Sequence, residues 1–180
     1  MKHFPLLPAE EEGRLHDPAI RENFIERVFT LARWREVLAG KACRGDLVEF
    51  HTKHKLLIMS HSPSHYQEMG RIVAQAKQIP LQELLADYQK FLMEGLKLRA
   101  TSKKHANVLM HMAGYFKNQL SPGEKNELLE IIEQYRKELI PLIVPVTLIN
   151  HYVRKYNQQY LRDQLYIQPH PVELQLRNHV

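Results

Sequence analysis

Hydrophobic residues in this chain recur at helical spacing, and no stretch alternates in the manner of a half-buried strand. Ile20, Phe24, Val28, Leu31 and Val37 mark one face of a first helix that starts at Asp17-Pro18 and runs to Gly40. Asp17 supplies a capping side chain, and Pro18 suits the first helical position, where an N–H has no intrahelical acceptor. The pattern predicts further helices over 46–60, from Ser62-Pro63 to before Pro80, and over 81–99, 102–118, 121–138 and 140–156. Ser121-Pro122-Gly123-Glu124 has capping-box spacing. Pro145 is expected to bend the seventh helix. Residues 1–16 read as an extended or irregular lead-in, and residues 157–180 as an irregular tail with room for one short helix. There is no Asn-Gly or Asp-Gly hairpin signal and no internal repeat. The expected fold is all-α: a single domain of about seven helices in an irregular or orthogonal bundle.

At 180 residues and 44% hydrophobic content, the chain suffices for one domain with a real core. Its longest apolar run, 139–149, is too short to span a bilayer and is interrupted by Pro141 and Pro145. The N-terminal stretch lacks a signal-peptide apolar core, so a cytoplasmic location with no membrane partner is expected. The single cysteine, Cys43, excludes an internal disulfide and a cysteine-held iron–sulfur cluster. Net charge is −1 over residues 1–36 and +6 over the remainder. A basic body of this size is compatible with a polyanion partner without requiring one.

Known catalytic motifs are absent: there is no Walker A loop, GxGxxG, GxSxG or HExxH. No catalytic residue, metal ligand or cofactor is therefore assigned. His51/His54 and His61/His65 have spacings that can pair imidazoles on a helix, but no further ligand aligns with them. His54 shares a stripe with Leu47, Phe50 and Leu57 and reads as a core histidine. Ser60-His61-Ser62 reads as a helix end followed by a cap.

The fifth helix is more informative. His105, Leu109, Met112 and Phe116 form an inward seam. A second face carries Lys103 or Lys104, Asn107, His111, Gly114 and Asn118, polar without being acidic. A glycine inside a helix costs about 1 kcal/mol relative to alanine, so Gly114 points to close approach by another helix or a ligand. Lys97, Arg99, Lys103, Lys104 and His105 cluster within nine residues and suit phosphates, while Tyr115 could stack on a base or pack in the core. Glu124, Glu127, Glu130 and Glu133 make an acidic face on the sixth helix that would repel phosphate. Arg136, Lys137, His151, Arg154 and Lys155 follow on the basic side.

Three stretches, 47–74 (LVEFHTKHKLLIMSHSPSHYQEMGRIVA), 103–120 (KKHANVLMHMAGYFKNQL) and 135–153 (YRKELIPLIVPVTLINHYV), together resemble the YbgA-like domain family, a domain of unknown function. With Leu176-Arg177-Asn178 the resemblance covers nearly everything after residue 40. The segment FPLLPAEEEGRLHDPAIRENFIERVFTLARWR resembles the junction of two-domain members, in which a TudS-type thiouracil desulfidase domain comes first. The resemblance thus implies a junction-like lead-in and first helix over 1–40 and a YbgA-like helical domain over 41–180. In RudS-type fusions the desulfidase chemistry belongs to the iron–sulfur domain, and the YbgA-like half engages tRNA.

The leading expectation is an accessory module that binds tRNA or another RNA and works with a TudS-type iron–sulfur desulfidase. Lys55, Arg99, Lys103, Lys104, Arg136 and Arg154 are the expected phosphate contacts. His51, His105, Asn107, His111, Tyr115 and His151 are expected to line a groove. One alternative is an enzyme whose pocket uses His51, Lys55, His105, Asn107, Tyr115 and His151, all but Asn107 competent in proton transfer. Another is a protein-interaction module that docks a desulfidase or repair enzyme.

Overall fold

A computed structural model describes residues 6–179. Among them are eight α-helices, three short 3-10 turns and no strand, so the fold is all-α. The helices are α1 (Pro18–Ala39), α2 (Arg44–His61), α3 (Pro63–Ala74), α4 (Leu81–Lys97), α5 (Ser102–Ala113), α6 (Pro122–Arg136), α7 (Ile143–Lys155) and α8 (Gln159–Arg162).

Local chemistry sets most of the helix starts. The Asp17 carboxylate accepts from the Ala19 and Ile20 amides at 2.8 and 3.1 Å, opening α1. Ser62 caps α3, accepting from the His65 amide. The capping box at Ser121 and Glu124 closes as its spacing predicts, with Glu124 Oε2 2.8 Å from the Ser121 amide. Thr101, not Ser102, caps α5; the Ser102 hydroxyl instead donates to Glu138 at 2.7 Å. Helix α5 stops at Ala113 and continues only as a 3-10 turn over Gly114–Phe116, short of the expected Asn118. Pro145 lies in the first turn of α7, where no intrahelical N–H bond is lost, so no bend need be assigned to it. The lead-in contains a 3-10 turn over Glu12–His16.

Two hydrophobic clusters meet on α2. The first gathers Leu31 and Trp34 of α1, Leu47, Phe50 and Ile58 of α2, Met69 of α3, and Leu84, Tyr88, Leu92 and Leu96 of α4. At its centre the Trp34 ring lies 4.9 Å from Phe50 and 5.0 Å from Tyr88. The second joins Leu56, Leu57 and Met59 of α2 to the seam of α5, to α6 and α7, and to Leu161 and Tyr166. A helix with a core on each side cannot keep a polar face, and residues 56–61 are buried without a break. His105, Leu109, Met112 and Phe116 are the inward seam of α5, and His54 is a buried core histidine.

The buried face of α1 differs from the expected one. Val28 is exposed and Ile20, Phe24 and Val37 are only half-buried. Residues facing inward are Glu22, Asn23, Glu26, Arg27 and Thr30, followed by Leu31 and Trp34. The N-terminal half of this helix buries polar groups and the C-terminal half buries apolar ones, and that division creates the site.

Candidate functional site

Glu22 and Glu26 lie one turn apart on α1, so both carboxylates project from the same side of the helix. They are 6% and 1% exposed, a placement that carboxylates tolerate only when paired. The pairing comes from far along the chain. Arg177, in the C-terminal tail, donates from Nε to Glu22 Oε1 at 3.1 Å and from NH2 to Glu26 Oε1 at 3.0 Å. Its NH1 donates to the Tyr166 carbonyl at 2.6 Å. On the other side of Glu26, Oε2 lies 2.8 Å from Nε2 of His61, the last residue of α2. The Nδ1 of that ring faces the Leu98 carbonyl at 2.9 Å and the Asn23 amide at 3.2 Å. Asn23 also donates to the Leu96 carbonyl at 3.0 Å, fixing the end of α4 against α1.

Glu22, Asn23, Glu26 and His61 form the floor of a cleft of about 400 Å³, bounded by Arg99 to Ser102, His105, Tyr135, Glu138, Leu142 and His179. Electrostatics divides the two carboxylates. Burial alone disfavours the charge on Glu26, but the His61 hydrogen bond and the His61 and Arg177 charges outweigh it and hold its pKa below the usual carboxylate range. Glu22 goes the other way, raised by burial and by the neighbouring Glu26 charge, with Arg177 only partly offsetting them. His105, buried and bonded through Nδ1 to the Tyr166 hydroxyl at 3.0 Å, is pushed down to about 3, first by burial and then by Arg177. A neutral acid beside an ionised carboxylate is an arrangement that can give and take a proton.

A second constellation lies on the surface at the other end of α5. The Tyr115 and Tyr160 rings stack with centroids 5.1 Å apart and planes 21° apart. The Lys55 ammonium sits 4.8 Å above the Tyr160 ring, and His111 meets Tyr115 edge-on at 5.8 Å. Tyr115 remains 38% exposed, so the stack presents aromatic surface to solvent beside a cation.

The expected site residues divide between these places. Lys55, His111 and Tyr115 come together in the stack, and the exposed Lys103 and Asn107 lead toward it along α5. Arg99 lies at the cleft and His105 in its wall. Lys104 is committed to structure: its ammonium donates to the His61 carbonyl at 2.7 Å and the Arg99 carbonyl at 2.9 Å, tying the end of α2 to the segment that follows α4. Arg136 makes a two-pronged ion pair with Glu133, at 2.7 Å on each prong. His51 is buried in the first core, 3.2 Å from the Tyr88 hydroxyl. His151, on the exposed side of α7, lies edge-on to Tyr152, and Arg154 lines a separate hollow with Arg162 and Gln164. Of the six residues expected for an enzyme pocket, His105 alone lines the cleft. His61 and His65 do not share a helix, because the chain breaks between them at Ser62.

Gly114 also differs from expectation. A β-carbon added there would meet nothing within 4 Å, so no helix approaches it. The close approach is at Gly95, where a β-carbon would come within 2.9 Å of the His65 β-carbon.

An all-α domain with a buried carboxylate–arginine–histidine cluster at the meeting of its first helix and its C-terminal tail is the class defined by these features. The family described as "Protein of unknown function (DUF1722)" matches residues 55–171, and the chain belongs to it. It is 31% identical over 153 residues to "Uncharacterized protein YbgA" of Escherichia coli (strain K12), covering 84% of this chain and 90% of that protein. No solved structure matches significantly. Among the described residues no helix is long and apolar enough to cross a membrane.

Proposed function

We propose that this chain is an RNA-binding module, directed at tRNA, that works beside an iron–sulfur thiouridine desulfidase. The observation that carries RNA binding is the exposed Tyr115–Tyr160 stack under the Lys55 ammonium. Every base has a π-face, so an exposed aromatic beside a cation favours unpaired nucleotides with little regard to sequence. The exposed face of α5 extends this surface: Lys103, Asn107 and His111 recur every four residues. Lys103 to Tyr115 spans roughly 18 Å at the helical rise, long enough to follow a strand rather than one nucleotide. The choice of tRNA and of a desulfidase partner rests on the likeness to the second half of the two-domain desulfidases.

Fluorescence anisotropy with labelled tRNA over a salt series tests the proposal. Affinity should fall linearly on logarithmic axes as salt rises. Tyr115→Ala should weaken binding by about 1–3 kcal/mol without changing the slope, and Lys103→Ala should reduce the slope by about 1. Absence of binding at low salt, or binding indifferent to salt, would refute the proposal.

The cleft favours a second reading, an enzyme using the Glu22–Glu26 pair as acid and base. A panel of nucleosides and nucleotides in thermal-shift assays separates it. A ligand whose stabilisation is lost in Glu22→Gln but kept in Tyr115→Ala would support it, and no stabilisation by any member would count against it.

A further inference from the structure

Close to Glu22 and Glu26 one buried ring nitrogen has no hydrogen-bond partner. His170 is 6% exposed, and its Nδ1 faces the Pro171 carbonyl at 3.2 Å. Its Nε2 is buried with no hydrogen bond. A neutral imidazole that donates from Nδ1 to a carbonyl presents a lone pair at Nε2. Buried acceptors are seldom left unmatched. Two carboxylates are within reach of this ring: ligand-capable atoms of Glu22, Glu26 and His170 lie within 4.8 Å of one another.

We infer that Glu22, Glu26 and His170 form a binding site for one divalent transition-metal ion. Two carboxylates and an imidazole are a donor set suited to zinc, manganese or ferrous iron rather than to calcium. Each donor has the outer support that metal ligands ordinarily have. The Pro171 carbonyl faces His170 Nδ1, while Arg177 and His61 hold the carboxylates. Arg177 does not saturate them. It takes one oxygen of each, His61 takes the other oxygen of Glu26 and His179 approaches the other oxygen of Glu22 at 3.5 Å, yet a carboxylate has about four lone-pair positions. Metal–ligand bonds of about 2.0–2.2 Å place ligand atoms roughly 3.4 Å apart in a tetrahedral shell. Side-chain adjustments of up to about 1 Å therefore close the site around an ion. The Arg177 charge opposes the ion and lowers the affinity of the site. With three protein ligands, the fourth position is left for water.

The test uses the full chain, stripped with a chelator and titrated with zinc and, separately, cobalt(II) in the absence of RNA, so its outcome is independent of the RNA reading. Calorimetry should give one equivalent of high-affinity uptake, and cobalt should give the visible absorption of a nitrogen- and oxygen-ligated ion. His170→Ala should weaken uptake by about 10–100-fold, since it removes a ligand outright. It leaves the Arg177 ion pairs in place, and circular dichroism would verify the fold. Glu22→Gln, which keeps the shape of the side chain, should weaken uptake as well. His16→Ala, at an exposed histidine, should not. No uptake by the wild type, or uptake unchanged in folded His170→Ala, would overturn the inference.

Discussion

Acid should destabilise this protein through its buried histidines, and His54 isolates the effect. Its ring stacks on Phe50 with centroids 3.8 Å apart, and Nδ1 lies 2.8 Å from the Phe50 carbonyl. Nε2 is buried without a partner, so a proton added there creates a buried, unbonded charge. Burial lowers the pKa from 6.5 to about 4, with the Phe50 carbonyl opposing it and the nearby Arg33 charge assisting. The unfolded chain therefore takes up the proton before the folded one. The His54 contribution is intact above the unfolded value and is lost as pH falls from about 6.5 toward about 4. With these two values, the loss at pH 5 comes to about 2 kcal/mol and at pH 7.5 to almost nothing. In His54→Leu the proton site is gone, while all other titrating groups remain and cancel in the comparison. Urea denaturation at the two pH values should show the variant gaining about 2 kcal/mol on wild type between pH 7.5 and pH 5. At pH 7.5 the two should agree within about 1 kcal/mol, because one hydrogen bond and one unmatched acceptor leave together. An equal difference at both pH values would refute the reasoning.

The two glycines should respond with opposite signs in thermal melts. Gly95→Ala forces a β-carbon against His65 and should cost about 1–3 kcal/mol, whereas Gly114→Ala, at φ −58° with open space, should gain about 0.4–1 kcal/mol. Replacing Arg177 by Met strands two buried carboxylates and should cost about 3–5 kcal/mol in chemical denaturation. The same replacement at Arg136, in an exposed pair, should leave the midpoint of that transition nearly unchanged. Ser121→Ala removes a closed capping box and should cost about 1 kcal/mol, read from the midpoint of the same transition.

What could be read in advance was local. Asp17-Pro18, Ser62-Pro63 and Ser121 to Glu124 each carry their geometry within a few residues, and the structure uses all three. The α5 seam was legible because four apolar or aromatic positions repeat at one spacing. The cleft was not, because charged residues are usually solvated and nothing near Glu22 or Glu26 in sequence neutralises them. Their partners, His61 and Arg177, lie 35 and more than 150 positions away. One trace was available: Glu22, Glu26, Thr30 and Trp34 recur every four residues, so the buried Trp34 continues a polar stripe on the same side of the helix. Lys104 was misplaced for the complementary reason. Its charge is visible in the sequence, but the two backbone carbonyls that occupy it are not.

The ion pairs of Arg177 also set an order of assembly. Residues of α1 to α4 supply the whole first cluster, so that half has its apolar partners as soon as α4 is made. The carboxylates of α1 do not, because Arg177 lies 155 positions beyond Glu22. Synthesis proceeds from the N-terminus, and contacts this distant in sequence form late. Until then α1 carries two acidic groups that favour water over the interior. A chain that stops short of Arg177 seats α1 by Leu31 and Trp34 and leaves Glu22 and Glu26 without their guanidinium. The tail thus pins the polar half of α1 onto a body already built around its apolar half.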